Sequence, residues 1–353
     1  MNSIEETPIV IYFCGQAVQW KTMALKLYNE NSIFRESMDK IDNYLKNNYF
    51  NGESMLNKLR SLNDDEGTNN EDQILTHSIL FMFQSSLFEL FKSEGINPSF
   101  IFGISCGEMA SLYCSGALSL QKVCDLLIER AKLMDKAMKI NPNGFPIFVK
   151  IEKEEFNENY SKRYPEIEIS AKFSNNSLLL ATCNSDQNER FCQEIKEKEI
   201  FLRPIPSKIA FHTSAMDCIE EEAQKVKEIE FSANSFCIPT YCSYNGKLYD
   251  ESNSYNVFKS IRNCVEANIV FQDILKSLES NGFKKVIFVE ITPHPILTPI
   301  LFENVKSIKS SVFTTISNDD PFPNVISLSS LNKSNDDIVH INSVLNTIKK
   351  HTK

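Results

Sequence analysis

The stretch Ser99-Phe100-Ile101-Phe102-Gly103-Ile104-Ser105-Cys106-Gly107-Glu108 decides how this chain turns around a single serine. A short apolar run ends in Gly-x-Ser-x-Gly and a helical pattern follows, which predicts a strand, a sharp turn and a helix. A Cβ on either side of the serine would crowd the turn, and glycine tolerates unusual backbone angles. The turn would raise the Ser105 hydroxyl above a sheet, where backbone N–H groups can stabilise an oxyanion. The pattern indicates a nucleophilic serine, although Gly-x-Ser-x-Gly alone also fills ordinary turns.

Length and composition limit the fold class, the partners and the location that the rest of the chain allows. The chain has 353 residues and a formal net charge of -9, so it is large enough for one or two α/β domains, and non-specific nucleic-acid binding is disfavoured. No uninterrupted apolar run is long enough to span a membrane, and residues 1–7 lack the pattern of a signal peptide. The 10 cysteines lack the paired spacing of a zinc site. We expect reduced thiols, a cytoplasmic location, and neither nucleic-acid nor membrane partners.

The rest of the chain alternates between strand and helix patterns. Residues 8–13 are short, apolar and β-branched, which predicts a buried parallel strand followed by a helix from about Gln19 to Asn29. Residues 72–93 predict a long, largely buried helix. Between 139 and 207 the patterns follow the order β-α-β-β-α-β, which predicts a small inserted subdomain of ferredoxin-like order. The expected fold class is therefore α/β, with a parallel sheet and an insert.

A serine hydroxyl needs a base, and His212 is the best placed of the five histidines. It follows the predicted insert directly, where two subdomains would meet and form a cleft. A structural histidine is an equally good interpretation of its position alone. His340 and His351 lie in a polar terminal stretch and are poor candidates.

Two further polar residues stand in informative places. Arg130 falls on an apolar stripe with Val123, Leu127 and Met134, so it requires an anion. That anion is either an internal Asp or Glu or a bound carboxylate, which suits the planar guanidinium. Gln16 follows the first strand in a tight loop and could donate to an oxyanion, although an ordinary loop residue is the favoured interpretation from sequence alone.

Taken in this order, the motifs resemble those of polyketide synthase acyltransferase domains and of malonyl-CoA:acyl-carrier-protein transacylases. The resemblance covers nearly the whole chain. Gly15 to Trp20 matches the family pattern GQGxQW, and Gly103 to Glu108 matches GHSxGE. Gly116 to Ser119 with Arg130 to Met134 matches GALSL with RxxLM. Ala210 to Thr213 matches AFHS, and Val289 to Leu297 matches EIGPHPVL. Five matches in the right order are far more specific than any one of them.

The resemblance implies a fold and a role for each matched residue. The fold would be an α/β-hydrolase-like core with a ferredoxin-like insert. Ser105 would take the acyl group from coenzyme A, and His212 would act as its base. Gln16 and the backbone N–H of Cys106 would form the oxyanion hole. Arg130 would bind the free carboxylate of a malonyl-type group.

The resemblance also implies the partners and the finer features of the site. Phe211 occupies a position associated with malonyl rather than methylmalonyl. A main-chain carbonyl near Pro293-His294-Pro295 would orient His212, which leaves His294 as a structural loop residue. The donor would be malonyl-CoA or a related acyl-CoA. The acceptor would be the phosphopantetheine thiol of an acyl carrier protein or polyketide synthase, with no bound cofactor and no metal.

Several positions depart from the family pattern. Ile104 stands where the residue before the nucleophile is usually His, and Ala17 replaces a glycine. Ile104 and Ala17 would flank the acyl pocket, so they could slow turnover or alter the preferred acyl group. His77 replaces a usual glutamine, and core packing is its favoured interpretation. Ile209 and Thr292 replace a usual His and Gly.

Domain boundaries follow from the same patterns. Residues 1–138 and 208–320 are predicted to form the large subdomain, 139–207 the small subdomain, and 321–353 a linker or tail after the domain. The chain would act in trans or represent a piece of a larger synthase. Two other functions stay open from the sequence: a degenerate, non-catalytic carrier-binding protein, and a serine acyl hydrolase.

Overall fold

The computed structural model describes residues 6–16, 18–61, 72–232, 234–313 and 324–352. Ala17 therefore lies outside the described residues, as do 62–71 and 314–323. The strands are β1 Ile9–Phe13, β2 Phe100–Gly103, β3 Phe145–Val149, β4 Glu168–Ser174, β5 Ser177–Thr182, β6 Leu202–Pro204, β7 Ile229–Glu230, β8 Thr240–Tyr241, β9 Ser254–Tyr255, β10 Val286–Ile291 and β11 Val325–Ser329.

Helices cover both faces of the larger sheet and one side of the smaller one. They are α1 Leu25–Glu30, α2 Ser32–Asn48, α3 Met55–Ser61, α4 Gln73–Ser93, α5 Glu108–Cys114, α6 Leu120–Ile140, α7 Lys153–Asn159, α8 Ser185–Glu197, α9 Glu220–Ala223, α10 Val257–Arg262, α11 Ala267–Ser280, α12 Thr298–Ser307 and α13 Asp337–Thr352. Short 3-10 turns span Ser105–Gly107 and Ser214–Ile219.

The larger sheet is parallel and has the order β11-β10-β1-β2-β8. Its central strand β1 is buried at all five positions, which explains why its sequence is apolar without alternation. Two of the hydrophobic clusters lie on opposite sides of this sheet, since Ile11 belongs to one and Tyr12 to the other. The predicted α/β fold with a parallel sheet is confirmed.

Helix α4 runs through the larger of these two clusters. Its Asp72 cap accepts a hydrogen bond from the backbone N–H of Leu75 at 2.9 Å. By length and composition it resembles a membrane-spanning helix, but most of its residues are buried inside the protein. Helices α2 and α6 pack against it. Its apolar character on all sides therefore follows from its position in the core.

The smaller sheet is antiparallel and has the order β4-β5-β3-β6. Its strands and helices follow the chain order β-α-β-β-α-β between residues 145 and 204. Helices α7 and α8 bury Phe156 and Phe191 against the sheet in a core of their own. Strand β4 also contacts the larger part of the protein, where the backbone N–H of Lys172 donates to the carbonyl of Val265 at 2.8 Å. Strand β4 is thus where the smaller sheet packs against the larger part of the protein, beside α11 and α12.

Two expectations about the ends of the chain are corrected by the structure. The first helix begins at Leu25 rather than near Gln19, because Ala24 has a left-handed backbone with φ 55° that interrupts a helix. The part of 321–353 that is described is no linker. Strand β11 pairs with β10, and α13 buries Ile341 and Ile348 in the main core. These residues complete the larger sheet and its helical cover.

Candidate active site

The turn at Ser105 depends on two glycines because of close backbone contacts. A Cβ on Gly103 would lie 2.1 Å from the carbonyl carbon of Gly107, and a Cβ on Gly107 would lie 2.6 Å from the carbonyl oxygen of Phe13. The left-handed backbone is at Ser105 itself, where φ is 54°. The predicted crowding is therefore confirmed, whereas the unusual backbone angle belongs to the serine rather than to either glycine.

Ser105 and His212 form a hydrogen-bonded pair. The distance from Ser105 Oγ to His212 Nε2 is 2.9 Å, and His212 Nδ1 lies 2.9 Å from the carbonyl oxygen of Asn263. Because a carbonyl only accepts, Nδ1 carries the hydrogen and Nε2 is free to accept the serine proton. Burial, and then the charge of Arg130, lower the pKa of His212 to about 3, while the hydrogen bond to Asn263 opposes this. The imidazole is therefore neutral, and its Nε2 can accept a proton.

The carbonyl that orients His212 comes from an unexpected place. We expected it near Pro293-His294-Pro295, but it belongs to Asn263, which caps the C-terminus of α10. The backbone N–H of His212 also donates to Ile261 in α10, at 2.9 Å. The end of one helix therefore fixes both the main chain and the ring of His212. His294 instead lines the cleft, where its Nδ1 accepts the backbone N–H of Lys333 at 3.4 Å.

Arg130 is buried beside the nucleophile, and in the described part of the chain it has no acidic partner. Its side chain is 1% exposed, and its Nη2 donates to Ser105 Oγ at 3.2 Å. Within the described residues no carboxylate lies within 4.0 Å of the guanidinium, and its Nε has no hydrogen-bond partner. The described residues therefore do not form the internal salt bridge that was the alternative interpretation of Arg130. An unpaired buried cation is costly, so the site is suited to an anion.

The two oxyanion-hole candidates differ in how they are placed near Ser105, one by the shared cleft and one by the chain itself. Both polar atoms of the Gln16 amide are buried without a hydrogen-bond partner in the described part of the chain, and Gln16 lines the same cleft as Ser105. Such an unpaired amide is free to donate to a ligand. Cys106 follows the nucleophile in the first turn of its helix. Burial raises the pKa of the Cys106 thiol to about 11, so the thiol stays protonated and only its backbone N–H is suited to the site.

A cavity of about 640 Å³ opens above Ser105, between the two sheets. Ile104 and Phe211, both nearly buried, form apolar walls next to the nucleophile. More apolar wall comes from Phe148 and Phe173 in the smaller sheet. The cleft predicted at the junction of the two subdomains is therefore present, and the predicted catalytic, oxyanion and acyl-contacting residues adjoin it or Ser105.

Two functional positions were missed by sequence reasoning. The carbonyl of Asn263 has no sequence signature, because every residue carries one. His77, which we expected to pack in the core, contacts Arg130, with its Nε2 3.3 Å from Arg130 Nη1. A polar ring inside the otherwise apolar run of α4 was the available signal.

Glu108, three residues after the nucleophile, is also buried. It accepts a hydrogen bond from the Tyr249 hydroxyl at 2.8 Å, and burial raises the pKa of its carboxyl to about 7.

Comparison with known families and proteins agrees with this geometry. The acyl transferase domain family matches residues 10–350 of the chain. Probable polyketide synthase 5 of Dictyostelium discoideum is 37% identical over 307 residues, which is 86% of this chain and 12% of that protein. Probable polyketide synthase 22 of the same organism is 36% identical over 346 residues, covering 97% of this chain and 13% of that protein. The chain thus spans about an eighth of the length of these relatives.

Solved structures share the fold at low sequence identity. A loading acyltransferase from the avermectin modular polyketide synthase superposes with a TM-score of 0.79 at 19% identity, covering 97% of this chain and 99% of that one. The malonyl CoA-acyl carrier protein transacylase of Clostridium perfringens gives 0.73 at 18% identity, with 97% and 98% covered. At such identities the likeness establishes the fold.

Proposed function

The chain belongs to the acyl transferase domain family, and from this premise we propose that it moves a malonyl-type acyl group from coenzyme A to the phosphopantetheine thiol of an acyl carrier protein. The observation that carries the proposal is the arrangement at Ser105. A neutral histidine lies 2.9 Å from its hydroxyl, and a buried arginine without a carboxylate lies 3.2 Å from the same oxygen. The first arrangement activates a nucleophile, and the second suits a substrate that carries a free carboxylate.

In the first half-reaction Ser105 Oγ attacks the thioester carbonyl, and its proton passes to His212 Nε2. The carbonyl oxygen becomes an oxyanion, which the Gln16 amide and the backbone N–H of Cys106 stabilise. When the carbon–sulfur bond breaks, His212 returns its proton to the departing coenzyme A thiolate. The acyl group is then held as an ester on Ser105. The Asn263 carbonyl, which accepts from Nδ1, stabilises the imidazolium while it lasts.

The second half-reaction runs the same steps in reverse with a new thiol. The pantetheine thiol of the carrier gives its proton to His212 and attacks the ester on Ser105. The second tetrahedral intermediate uses the same oxyanion hole. Its collapse breaks the bond to Ser105 Oγ, which regains a proton from His212. The reaction needs no cofactor, because each half-reaction exchanges one acyl–heteroatom bond for another.

Substrate selection follows from the walls of the site. We assign the acyl carboxylate to Arg130, whose Nη2 lies 3.2 Å from Ser105 Oγ and whose Nε has no partner within the described residues. Ile104 and Phe211 would contact the acyl carbons and limit the access of water, which would otherwise hydrolyse the ester on Ser105. The contact with Phe211 favours the unbranched malonyl group in this proposal.

We assign this activity to polyketide or fatty-acid synthesis, with the carrier either attached to the same synthase or separate. The similarity to polyketide synthases supports the first of these pathways. We also propose a reducing, cytoplasmic location. All ten cysteines are free, which is compatible with such a compartment.

The experiment that tests the function is the intact mass of the protein after brief exposure to malonyl-CoA. Acetyl-CoA and the Ser105→Ala variant are measured alongside, with circular dichroism as a control for folding. A malonyl adduct that disappears in Ser105→Ala is the expected result. An adduct with acetyl-CoA alone would overturn the role of Arg130. No adduct with either donor on folded protein would favour a non-catalytic binding protein, and faster turnover of short esters than of acyl-CoA would favour a hydrolase.

A further inference from the structure

Arg130 and His77 form a buried contact that the catalytic steps above do not use. His77 lies in α4 and Arg130 in α6, and their side chains are 2% and 1% exposed. Arg130 Nη1 lies 3.3 Å from His77 Nε2 and 3.3 Å from the sulfur of Met134. The other terminal nitrogen, Nη2, is directed to Ser105 Oγ. Within the described residues, the guanidinium is thus held by one imidazole, one thioether and one hydroxyl.

The protonation state of this contact can be assigned from chemistry alone. A guanidinium carries five N–H donors and no acceptor, so His77 Nε2 must accept the hydrogen bond. The ring is therefore neutral, with its hydrogen on Nδ1, which has no partner in the described part of the protein. Burial, and then the charge of Arg130, lower the pKa of His77 well below its usual value of 6.5, in agreement with this assignment.

We infer that His77 is a positioning residue, which holds the Arg130 guanidinium beside Ser105 so that its unpartnered N–H groups meet the substrate carboxylate. A long arginine side chain without an anionic partner has many rotamers to lose. Met134 is a weak acceptor, and the Ser105 hydroxyl is consumed when the ester forms. In the acylated protein His77 is then the strongest of the three contacts that fix the guanidinium. The inference rests on the proposed function.

A role in packing alone makes a different prediction. Loss of packing would disturb Ser105 and His212 together with Arg130, so every reaction of Ser105 would slow by a similar factor. A positioning role affects substrates that carry a carboxylate far more than those that do not. Labelling of Ser105 by phenylmethylsulfonyl fluoride, which has no carboxylate, reports the nucleophile and base without an ion pair between Arg130 and the reagent. The ratio of malonyl transfer to sulfonylation therefore separates the two roles.

The test compares His77→Leu, His77→Gln and Ser78→Ala in malonyl transfer and in sulfonylation of Ser105. Leucine removes the acceptor and keeps an apolar volume, whereas glutamine restores a neutral acceptor. Ser78 is the matched control, because its buried hydroxyl has no partner in the described residues and adjoins His77 in the same helix. Circular dichroism and thermal unfolding verify that each variant is folded.

We expect His77→Leu to lower kcat/KM for malonyl-CoA by about tenfold or more, mainly through KM, because a hydrogen bond to a charged group is lost. Sulfonylation should change less than about twofold, and His77→Gln should recover most of the malonyl activity. Equal losses in both reactions of His77→Leu, or a His77→Gln variant as impaired as His77→Leu, would overturn the inference. A wild-type protein that is sulfonylated but takes no malonyl group would instead overturn the proposed function.

Discussion

At the scale of single residues, the site concentrates polar groups that are poorly satisfied by the protein itself. Arg130 lacks an acidic partner, and the Gln16 amide and His77 Nδ1 lack any partner within the described residues. Unpaired buried groups of this kind are costly for folding. Their grouping around Ser105 is understandable if a carboxylate and an oxyanion satisfy them during the reaction. Function and stability therefore compete at these positions.

This competition predicts that Arg130→Met stabilises the free protein. Methionine fills a similar volume and removes a buried cation that has no counter-ion, so the free energy of unfolding should rise by about 1–4 kcal/mol. Malonyl transfer should be lost in the same variant. Urea unfolding followed by circular dichroism measures the first effect. Lys132→Met, on the exposed side of the same helix, is the control and should change stability by less than about 1 kcal/mol. A destabilised Arg130→Met would contradict the account.

Gln16→Ala tests the oxyanion hole. Removing one donor to a tetrahedral intermediate typically lowers kcat by about 10²–10³-fold, and the unpartnered amide of Gln16 is the side-chain donor available here. Stability should change little, because the amide makes no hydrogen bond in the described structure that could be lost. Stopped-flow formation of the Ser105 ester measures the rate. Gln193→Ala, on an exposed helix face, serves as the control. A loss of less than about threefold would remove Gln16 from the oxyanion hole.

The depressed pKa of His212 predicts an unusual pH dependence. The folded-state pKa of about 3 lies below the ordinary value of 6.5, so the base stays neutral as pH falls through 6.5. Acylation by malonyl-CoA should therefore show no His212 inflection between about pH 5 and pH 8. Because the unfolded chain binds this proton more readily, the same shift lowers stability as pH falls from 6.5 toward 3.

Two other groups could produce an inflection in this range, because burial also raises the pKa of Glu290, next to the cleft-lining loop, to about 7. The pKa of Glu108 is raised by burial to about 7, and its charge acts on Arg130. Glu108→Gln and Glu290→Gln remove these titrations and leave the His212 side chain in place, so the pH–rate profile is measured in the wild type, in each variant and in the double variant. An inflection near 6.5 that persists in the double variant would show that His212 titrates normally and would refute the prediction.

The individual residues of the site were largely predictable from the sequence, and the exceptions have a physical reason. Ser105, His212 and Arg130 carry distinctive side chains in distinctive surroundings. The backbone carbonyl of Asn263 gives no such signal in the sequence, because its role depends on where α10 ends in space. His77 was assigned to packing because its contact is with a side chain 53 positions away, on a different helix. Pairings between helices are set by the tertiary fold rather than by local pattern.

At the scale of secondary-structure elements, the turn after β2 is held by close backbone contacts. The backbone of Gly107 packs against the carbonyls of Phe13 and Cys14, so β1, β2 and the turn meet without side chains between them. We predict that Gly107→Ala lowers the free energy of unfolding by about 3 kcal/mol and impairs acylation of Ser105 in the protein that remains folded. Denaturant unfolding and intact mass measure the two effects.

Gly15→Ala is the matched control for this prediction. Its added Cβ would lie 3.4 Å from the carbonyl oxygen of Ile104, which is an ordinary contact, so the free energy of unfolding should change by less than about 1 kcal/mol. Equal stability of Gly107→Ala and Gly15→Ala would contradict the prediction, because the close backbone contacts at Gly107 leave no room for an added Cβ.

The existence of elements was more predictable than their limits. The long apolar run of α4 appears where the sequence placed it. The start of α1 did not, because the left-handed conformation of Ala24 is imposed by the surrounding fold and alanine itself gives no sign of it. Strand β11 was missed because VISLS is short and lies in an Asn- and Ser-rich stretch.

At the scale of the whole molecule, the C-terminal segment completes the larger sheet. Strand β11 pairs with β10, the strand that leads into the loop at His294. Glu290 of β10 accepts hydrogen bonds from the backbone N–H groups of Ile296 and Leu297, and both of these residues line the cleft. The edge of the sheet and the wall of the site are therefore mechanically connected. The spacing of Ile341, Val344, Leu345 and Ile348 was a signal in the sequence for the helix that covers them.

The integral role of this segment predicts that a chain ending at Phe313 does not reach the native fold. Truncation would expose the edge of β10 and remove the four apolar side chains that α13 buries. Each such side chain contributes about 1.5–3 kcal/mol when buried, so their sum is comparable to the total stability of a domain. Two single substitutions separate packing from chain length. Ile348 is 1% exposed, so Ile348→Ser should lower the free energy of unfolding by at least about 2 kcal/mol. Val339 is 69% exposed, so Val339→Ser should leave the free energy of unfolding unchanged. A truncated chain that unfolds cooperatively at the wild-type midpoint would mean that β11 and α13 are dispensable, and equal effects of the two substitutions would mean that α13 does not pack on the core.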